Sequence, residues 1–402
     1  MVRRQSYVDQ IRPFIDMPLV KILTGVRRCG KSTIMLMLME ELREKGISED
    51  CLVRFNFATL EWQNADVMQV FEIIKAKLIP GKRTYLFLDE MQEIDQWERL
   101  VNTLMEEAKY DVDIFVTGSN SKMMSSEIST YLTGRYVSFR IHPLSFAEYL
   151  EFQKEYGEPS DLNKAFLRYM EYGGFPAVHL KPLTPDEAYV IVQDIYNTTI
   201  FTDIVKRNQI RKVDQLERIV KYAFDNIGNT FSANSIKGFY ESQNRKIDVE
   251  TVYNYLSKLE SAFILDRCSR QDLHGREILK TQEKFYLADT ALKHAVLGYS
   301  QGDISQILEN IVYLELRRRG YEVYVGKLDT QEIDFVCEKQ GQLLYVQVAY
   351  LLADKKTQER EFGNLLKIAD NFPKYVVSMD EVDLSQKGIL HRNIKDFLLG
   401  NW

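Results

Sequence analysis

Residues 19–33 read LVKILTGVRRCGKST: an apolar run, then Gly25, four intervening residues, and Gly30-Lys31-Ser32-Thr33. The stretch that follows, IMLMLMEELREKG, carries apolar residues at three- and four-residue spacing, the mark of a helix packed on a sheet. Strand, glycine-bounded loop and helix in that order leave little freedom. The two glycines let backbone N–H groups turn inward around an anion, and the helix brings its positive end to the same place. The pattern is a phosphate cradle, in which Lys31 supplies charge near the β- and γ-phosphates, Ser32 offers a hydroxyl to Mg²⁺ and Thr33 reaches the α-phosphate. The cradle comprises Gly25, Arg28, Cys29, Gly30, Lys31, Ser32 and Thr33. No separate role follows for Arg27, Arg28 or Cys29.

A second element completes the site. TYLFLDEMQEI, residues 84–94, is an apolar run ending in Asp89-Glu90, so a buried strand delivers two carboxylates at its C-terminal tip, where open α/β sheets bind ligands. Asp89 is expected to hold Mg²⁺ through water, and Glu90 to orient and deprotonate the attacking water. One further strand, 51–57, lies between the loop and this pair. That insertion is the arrangement of glutamate-dependent ATPases rather than of small GTPases. No Asn-Lys-x-Asp guanine-reading element occurs in the chain, which favours ATP. The next strand ends in VTGSNS, where Ser119 or Asn120, with Thr117 behind them, is a candidate γ-phosphate sensor; the alternative is a turn and helix cap. Arg135, in LTGRY, is a candidate arginine finger for a neighbouring subunit's nucleotide, and the alternative is an arginine paired with a surface carboxylate.

The first part of the chain alternates strand-like runs (19–25, 51–57, 84–90, 113–119, 136–141) with amphipathic helices, as a parallel sheet covered on both faces requires. This gives an ATPase core over 1–145 and a helical lid region over 146–210. The lid contains Gly173-Gly174-Phe175-Pro176, which ends a helix and forces a turn. Over 211–282 three short helices and the strand FILDRC suggest a winged helix, with Ser232 and Asp248 as N-caps. Residues 283–402 return to α/β. At 402 residues the chain has room for two or three cores. Its net charge of −6 argues against coating nucleic acid by bulk charge. The apolar runs fall short of a membrane span, and no signal region follows the first arginines. The four cysteines are scattered with no pair at metal spacing. A reduced cytoplasm is the simplest setting.

GVRRCGKST, YLFLDEMQEIDQWERLV, VTGSNS, LTGRYVSFRIHPLSFAEYL, YGGFPAV, DIVKR, TVYNYLSKLESAFIL, FYLADTAL, LENIVYLELRRRGYEVYVGK and EIDFV together resemble a large prokaryotic family of AAA+-type ATP-binding proteins. Members pair an N-terminal ATPase module with a C-terminal domain of uncharacterised function that looks like a restriction-endonuclease fold. The resemblance covers nearly the whole chain and implies ATP and Mg²⁺ as ligands without naming a physiological substrate.

A nuclease of that fold needs two acidic residues for Mg²⁺ and a lysine to activate water. Glu309 and Asp334 match the acidic positions and form a candidate second metal site. Gln347 and Ala349 stand where a carboxylate and the lysine are wanted, which points to a scaffold without cleavage; Lys355 or Lys356 would have to substitute. In the winged-helix segment, Asp248, Glu250 and Glu260 face one cation, Lys258, while Arg245, Lys246, Arg267 and Arg270 offer a basic rim. The combined reading is a cytoplasmic Mg²⁺-dependent ATPase coupling hydrolysis to conformational change, acting on DNA or a partner protein and capable of homo-oligomerising. The alternatives are an ATP-switched nucleic-acid-binding regulator or defence protein, and an active nuclease.

Overall fold

The computed structural model describes residues 2–107, 110–124, 132, 134–157, 160–242, 246–275 and 277–401. The chain divides into two compact units, Met1–Ile141 with Ser261–Phe263, and His142–Glu260 with Ile264–Trp402.

The first unit is built on β1 (Val20–Thr24), β2 (Leu52–Asn56), β3 (Thr84–Asp89), β4 (Val112–Gly118) and β5 (Tyr136–Arg140). They form one wholly parallel sheet in the order β2-β3-β4-β1-β5. The central strands β1, β3 and β4 are buried almost throughout and coincide with mainly apolar runs, as a parallel strand covered on both faces requires, while the edge strands β2 and β5 are only partly buried. Ile22, Leu86, Leu88 and Val116 join Trp97, Leu100, Val101 and Leu104 of the helix Trp97–Glu106 in the core. Helix Lys31–Glu44 buries Ile34, Met35, Leu38 and Met39. The order puts β4 between the loop strand β1 and the carboxylate strand β3. Register then brings Thr24 level with Gly118 and Leu88 level with Val116, so all three C-terminal tips share one edge.

One polar pair is sealed inside this sheet. Lys21 of β1 is ion-paired with Asp113 of β4, both fully buried, and its ammonium also donates to the Leu19 carbonyl at 2.8 Å. Burial pulls the lysine's pKa down and pushes the aspartate's up. Losing either partner would strand a buried charge, at a cost of about 3–5 kcal/mol, so the pair fixes the β1–β4 register.

The second unit holds β6 (Leu265–Asp272), β7 (Ile278–Leu287), β8 (Glu322–Leu328), β9 (Gln331–Lys339), β10 (Gln342–Val348), β11 (Lys374–Ser378) and β12 (Leu390–Asn393), in the order β12-β11-β10-β9-β8-β6-β7. Helices Val213–Asp225, Ala233–Ser242 and Val249–Ser261 precede the β6–β7 hairpin, and Ser232 Oγ accepts the Ser235 N–H at 3.2 Å at the start of the second. Helix Ile304–Arg318, β8, β9, β10, helix Lys355–Leu366 and β11 follow in turn. Position 282 lies inside β7, and the first compact unit runs to Ile141. The first seven residues of β7, ILKTQEK, are too polar to read as a strand; pairing with β6 makes them one. Among the described residues no helix is long and apolar enough to cross a membrane.

Two motifs far apart in sequence meet here. Asp289, in FYLADTAL, accepts the Gly174 N–H of the GGFP turn at 2.7 Å and the Ala291 N–H at 2.9 Å. Gly173 has φ of 65° and a Cβ on it would lie 1.7 Å from Asp289 Oδ1, so the turn requires glycine. Full burial raises the Asp289 pKa from its ordinary 3.8 to about 7. Between those values the folded chain holds a proton that the unfolded chain has released, so this group's contribution to stability falls as pH rises. Denaturant unfolding from pH 4 to 8 should show the wild type losing stability relative to Asp289→Asn up to about pH 7. A difference independent of pH would contradict the buried, raised carboxyl.

Candidate active site

The loop after β1 takes its shape from glycine. Gly25 has φ of 151°, and a Cβ there would sit 2.1 Å from the Ile141 carbonyl oxygen and 3.1 Å from Cys29 Sγ. Gly30, at φ 104°, is the N-cap of helix Lys31–Glu44 and supplies no side-chain cap. The N–H groups of that first turn thus lack the usual side-chain acceptor, as an anion site at a helix N-terminus requires. Lys31 is buried, its Nζ donating to the carbonyls of Gly25 at 3.0 Å and Val26 at 3.2 Å. Cys29 is fully buried with its N–H donating to the Val26 carbonyl at 3.3 Å, so its thiol belongs to the packing of the loop. Arg28 takes a left-handed φ of 65°. Thr33 is half-buried in the first helical turn.

Beneath the loop lies Arg4, which is 2% exposed. Its Nη1 donates to the Cys29 carbonyl at 2.8 Å, and its guanidinium lies 4.7 Å from the Tyr7 ring centroid. The N-terminal segment thus braces the loop from the protein side.

Asp89 is the hub. Its Oδ1 accepts Ser32 Oγ at 2.9 Å and Thr117 Oγ1 at 2.6 Å, and its Oδ2 accepts Arg54 Nη2 at 2.7 Å. Glu90 follows in the left-handed region at φ 53°, a conformation that a non-glycine residue holds only at a cost of about 1–3 kcal/mol. Its N–H donates to Thr117 Oγ1 at 2.9 Å, so the threonine hydroxyl accepts from one acidic residue and donates to the other. The Glu90 carboxylate accepts from Gln92 Nε2 and, at 3.3 Å, from Ser119 Oγ. Hydroxyl and carboxylate oxygens suit Mg²⁺, which prefers hard oxygen donors; Ser32 and Asp89 fit the ion, and the glycine-framed loop fits a phosphate.

Ser119 touches Glu90, Asn120 is buried beside it in sequence, and Thr117, placed behind both on sequence grounds, is the one that contacts Asp89. Arg135 is about half exposed and ion-paired with Glu106, the surface-carboxylate arrangement. Glu309 and Asp334 do approach each other, but Lys284 lies between them, its Nζ 2.9 Å from Glu309 and 3.8 Å from Asp334. Burial, with Glu309 alongside, pushes the Asp334 carboxyl well above the usual carboxylate range. Lys355 and Lys356 are exposed at the start of their helix. Of the basic rim, Arg267 pairs with Glu260 at 2.6 Å and Glu283 at 3.2 Å, Arg270 lies 3.9 Å from Glu332, and Lys246 is exposed; Arg245 lies outside the described residues. Arg54, Gln92, Arg4 and Lys284 were missed in the sequence. Only Arg54 carried a signal, a lone cation inside the mainly apolar CLVRFNF.

The first unit is a five-stranded parallel sheet with a glycine loop after β1 and an Asp-Glu pair at the end of β3, and it has the class of an AAA domain. Residues 18–150 match the family model described as an AAA domain, and residues 163–303 match one described as a domain of unknown function. An uncharacterized protein of Haemophilus influenzae is 33% identical over 380 residues, spanning 94% of this chain and 93% of that protein. The chain belongs to the same family as this protein, which in this member carries an AAA domain at its N-terminal end. An uncharacterized protein of Methanocaldococcus jannaschii is 30% identical over 355 residues, 85% of this chain and 77% of that one. Among solved structures, a Walker-type ATPase of Pyrococcus abyssi covers 74% of this chain and 96% of its own, at 13% identity and a TM-score of 0.46.

Gly25→Ala drives a methyl into the Ile141 carbonyl and should cost at least about 1–3 kcal/mol of stability, measured by denaturant unfolding. Wild-type stability in that variant would show that the loop does not pack as described.

Proposed function

We propose that the chain hydrolyses ATP in a Mg²⁺-dependent reaction and uses the cycle to change its conformation. The observation that carries the reading is the convergence of Ser32, Thr117 and Arg54 on the Asp89 carboxylate, with Glu90 one residue further on. Ser32 and Asp89 would hold Mg²⁺, which when bound would offset the negative charge of the phosphates. Lys31 exchanges the loop carbonyls for phosphate oxygens, so that the loop's own acceptors release it as the nucleotide enters. Glu90, held by Gln92 and Ser119, points its carboxylate at the nucleophilic water and takes its proton. Ser119 joins the expected sensor position to this base, so a shift of its hydroxyl toward a γ-phosphate would loosen Glu90 as well. Arg54 competes with the cation for Asp89 Oδ2 and sets how readily the acidic site accepts a metal.

A reading in which the winged-helix segment grips DNA gains nothing from Arg267 and Arg270, both of which lie against carboxylates. An ATPase acting on a protein or on the chain's own second unit is favoured.

Lys31→Ala should abolish binding of a fluorescent ATP analogue. Glu90→Gln should bind it with near wild-type affinity while phosphate release drops roughly 10²–10⁴-fold, the usual contribution of a general base. Undiminished turnover in Glu90→Gln would remove Glu90 from the base role. Arg54→Ala should lower the Mg²⁺ concentration needed for half-maximal phosphate release several-fold, and an unchanged requirement would show that the arginine does not compete with the ion.

A further inference from the structure

Three carboxylates and one ammonium converge in the second unit. Glu332 and Asp334 are alternate residues of β9 and so share a face, and Glu309 faces them from helix Ile304–Arg318. Lys284 reaches in from β7. Its Nζ lies 2.9 Å from Glu309 Oε1, 2.7 Å from Glu332 Oε1 and 3.8 Å from Asp334 Oδ1, and its side chain is only 4% exposed.

The remaining contacts close the group. Tyr286 Oη, two residues along β7 and on the same face as Lys284, donates to Glu309 Oε1 at 2.6 Å. Asp334 Oδ2 accepts the Val348 N–H at 2.8 Å, and Gln347 Oε1 accepts the Asp334 N–H at 3.2 Å. Gln347, which stands where a nuclease would carry an acid, thus has its side-chain oxygen committed to the backbone. Gly228 leaves so little room over Glu309 that a Cβ there would lie 3.3 Å from Oε2. Arg270 adds a second cation 3.9 Å from Glu332. Among the described residues no group of three or more His, Cys, Asp or Glu side chains is placed to hold a metal ion.

The resemblance of this part of the chain to a restriction-endonuclease fold implies a divalent metal between Glu309 and Asp334. The residues present do not fit one. A metal bound to Glu309 Oε1 would stand against an ammonium already bonded to the same oxygen, and like charges at such separation in a buried site repel strongly. We infer that Lys284 is the built-in cation of this cluster: its ammonium takes the metal's place, ties β7 to β9 and to the helix Ile304–Arg318, and leaves this domain free of metal and of phosphodiester cleavage. The signal was invisible in the sequence because the lysine comes from a strand 25 residues before Glu309, not from the strand of Gln347.

The test is thermal unfolding of the full chain in EDTA and in millimolar Mn²⁺, with no nucleotide present. The wild type and Lys284→Arg, which keeps the charge, should unfold at the same temperature in both. Lys284→Ala should unfold several degrees lower in EDTA and regain part of that loss in Mn²⁺, and adding Asp334→Asn to it should abolish the rescue. A wild-type midpoint raised by Mn²⁺ and returned to its EDTA value by Asp334→Asn would overturn the inference, as would a soluble Lys284→Ala chain indifferent to Mn²⁺. Should Lys284→Ala not fold, plasmid incubated with wild type and Mn²⁺ decides: cleavage lost in Asp334→Asn contradicts the inference, and an intact plasmid supports it.

Discussion

The hydrogen bonds to the Asp89 carboxylate organise the first unit. One oxygen collects the hydroxyls of Ser32 and Thr117, and the other collects the Arg54 guanidinium. Those partners come from the loop helix, β4 and β2, so a single buried carboxylate ties three elements to β3. The strand order makes this geometry available, because β4 lies between β1 and β3 and its tip is level with both. An acidic residue buried to 1% exposure is costly unless fully hydrogen-bonded. Here satisfying it and assembling the candidate site are the same act. Glu90 inherits its strained φ from this arrangement, since its N–H is drawn to the Thr117 hydroxyl that also serves Asp89.

Elsewhere the chain repeats the device of sealing charge inside and compensating it locally. Lys21 and Asp113 pin the register of β1 against β4. Asp289 spends both carboxylate oxygens on backbone N–H groups and so holds the GGFP turn. Lys284 sits among the carboxylates of Glu309, Glu332 and Asp334. In each case removing one member leaves the others buried and unpaired, which is why such groups specify a single packing.

Much of the first unit was legible in the sequence, for a physical reason. Strands covered on both faces read as mainly apolar runs, and all five runs of the sequence coincide with strands, the partly exposed edge strands β2 and β5 included. The phosphate loop and the Asp89-Glu90 pair are patterns of adjacent residues, so they too could be read directly. Arg54 could not, since its role depends on the register that sets Asn56 against Asp89. The polar part of β7 could not be read as a strand, because it becomes one only by pairing with β6. Lys284 could not be read beside Glu309, Glu332 and Asp334, since the four meet only through the packing of β7, β9 and the helix Ile304–Arg318. Arg135 was ambiguous in sequence, since a finger and a surface ion pair require the same residue.

The central claim is that Asp89 couples the phosphate loop to the metal. Calorimetric titration of ATP into the wild type and Asp89→Asn, each with and without Mg²⁺, tests it most directly. Mg²⁺ should tighten ATP binding by the wild type and leave binding by Asp89→Asn unchanged. An equal Mg²⁺ effect in both proteins would contradict the account.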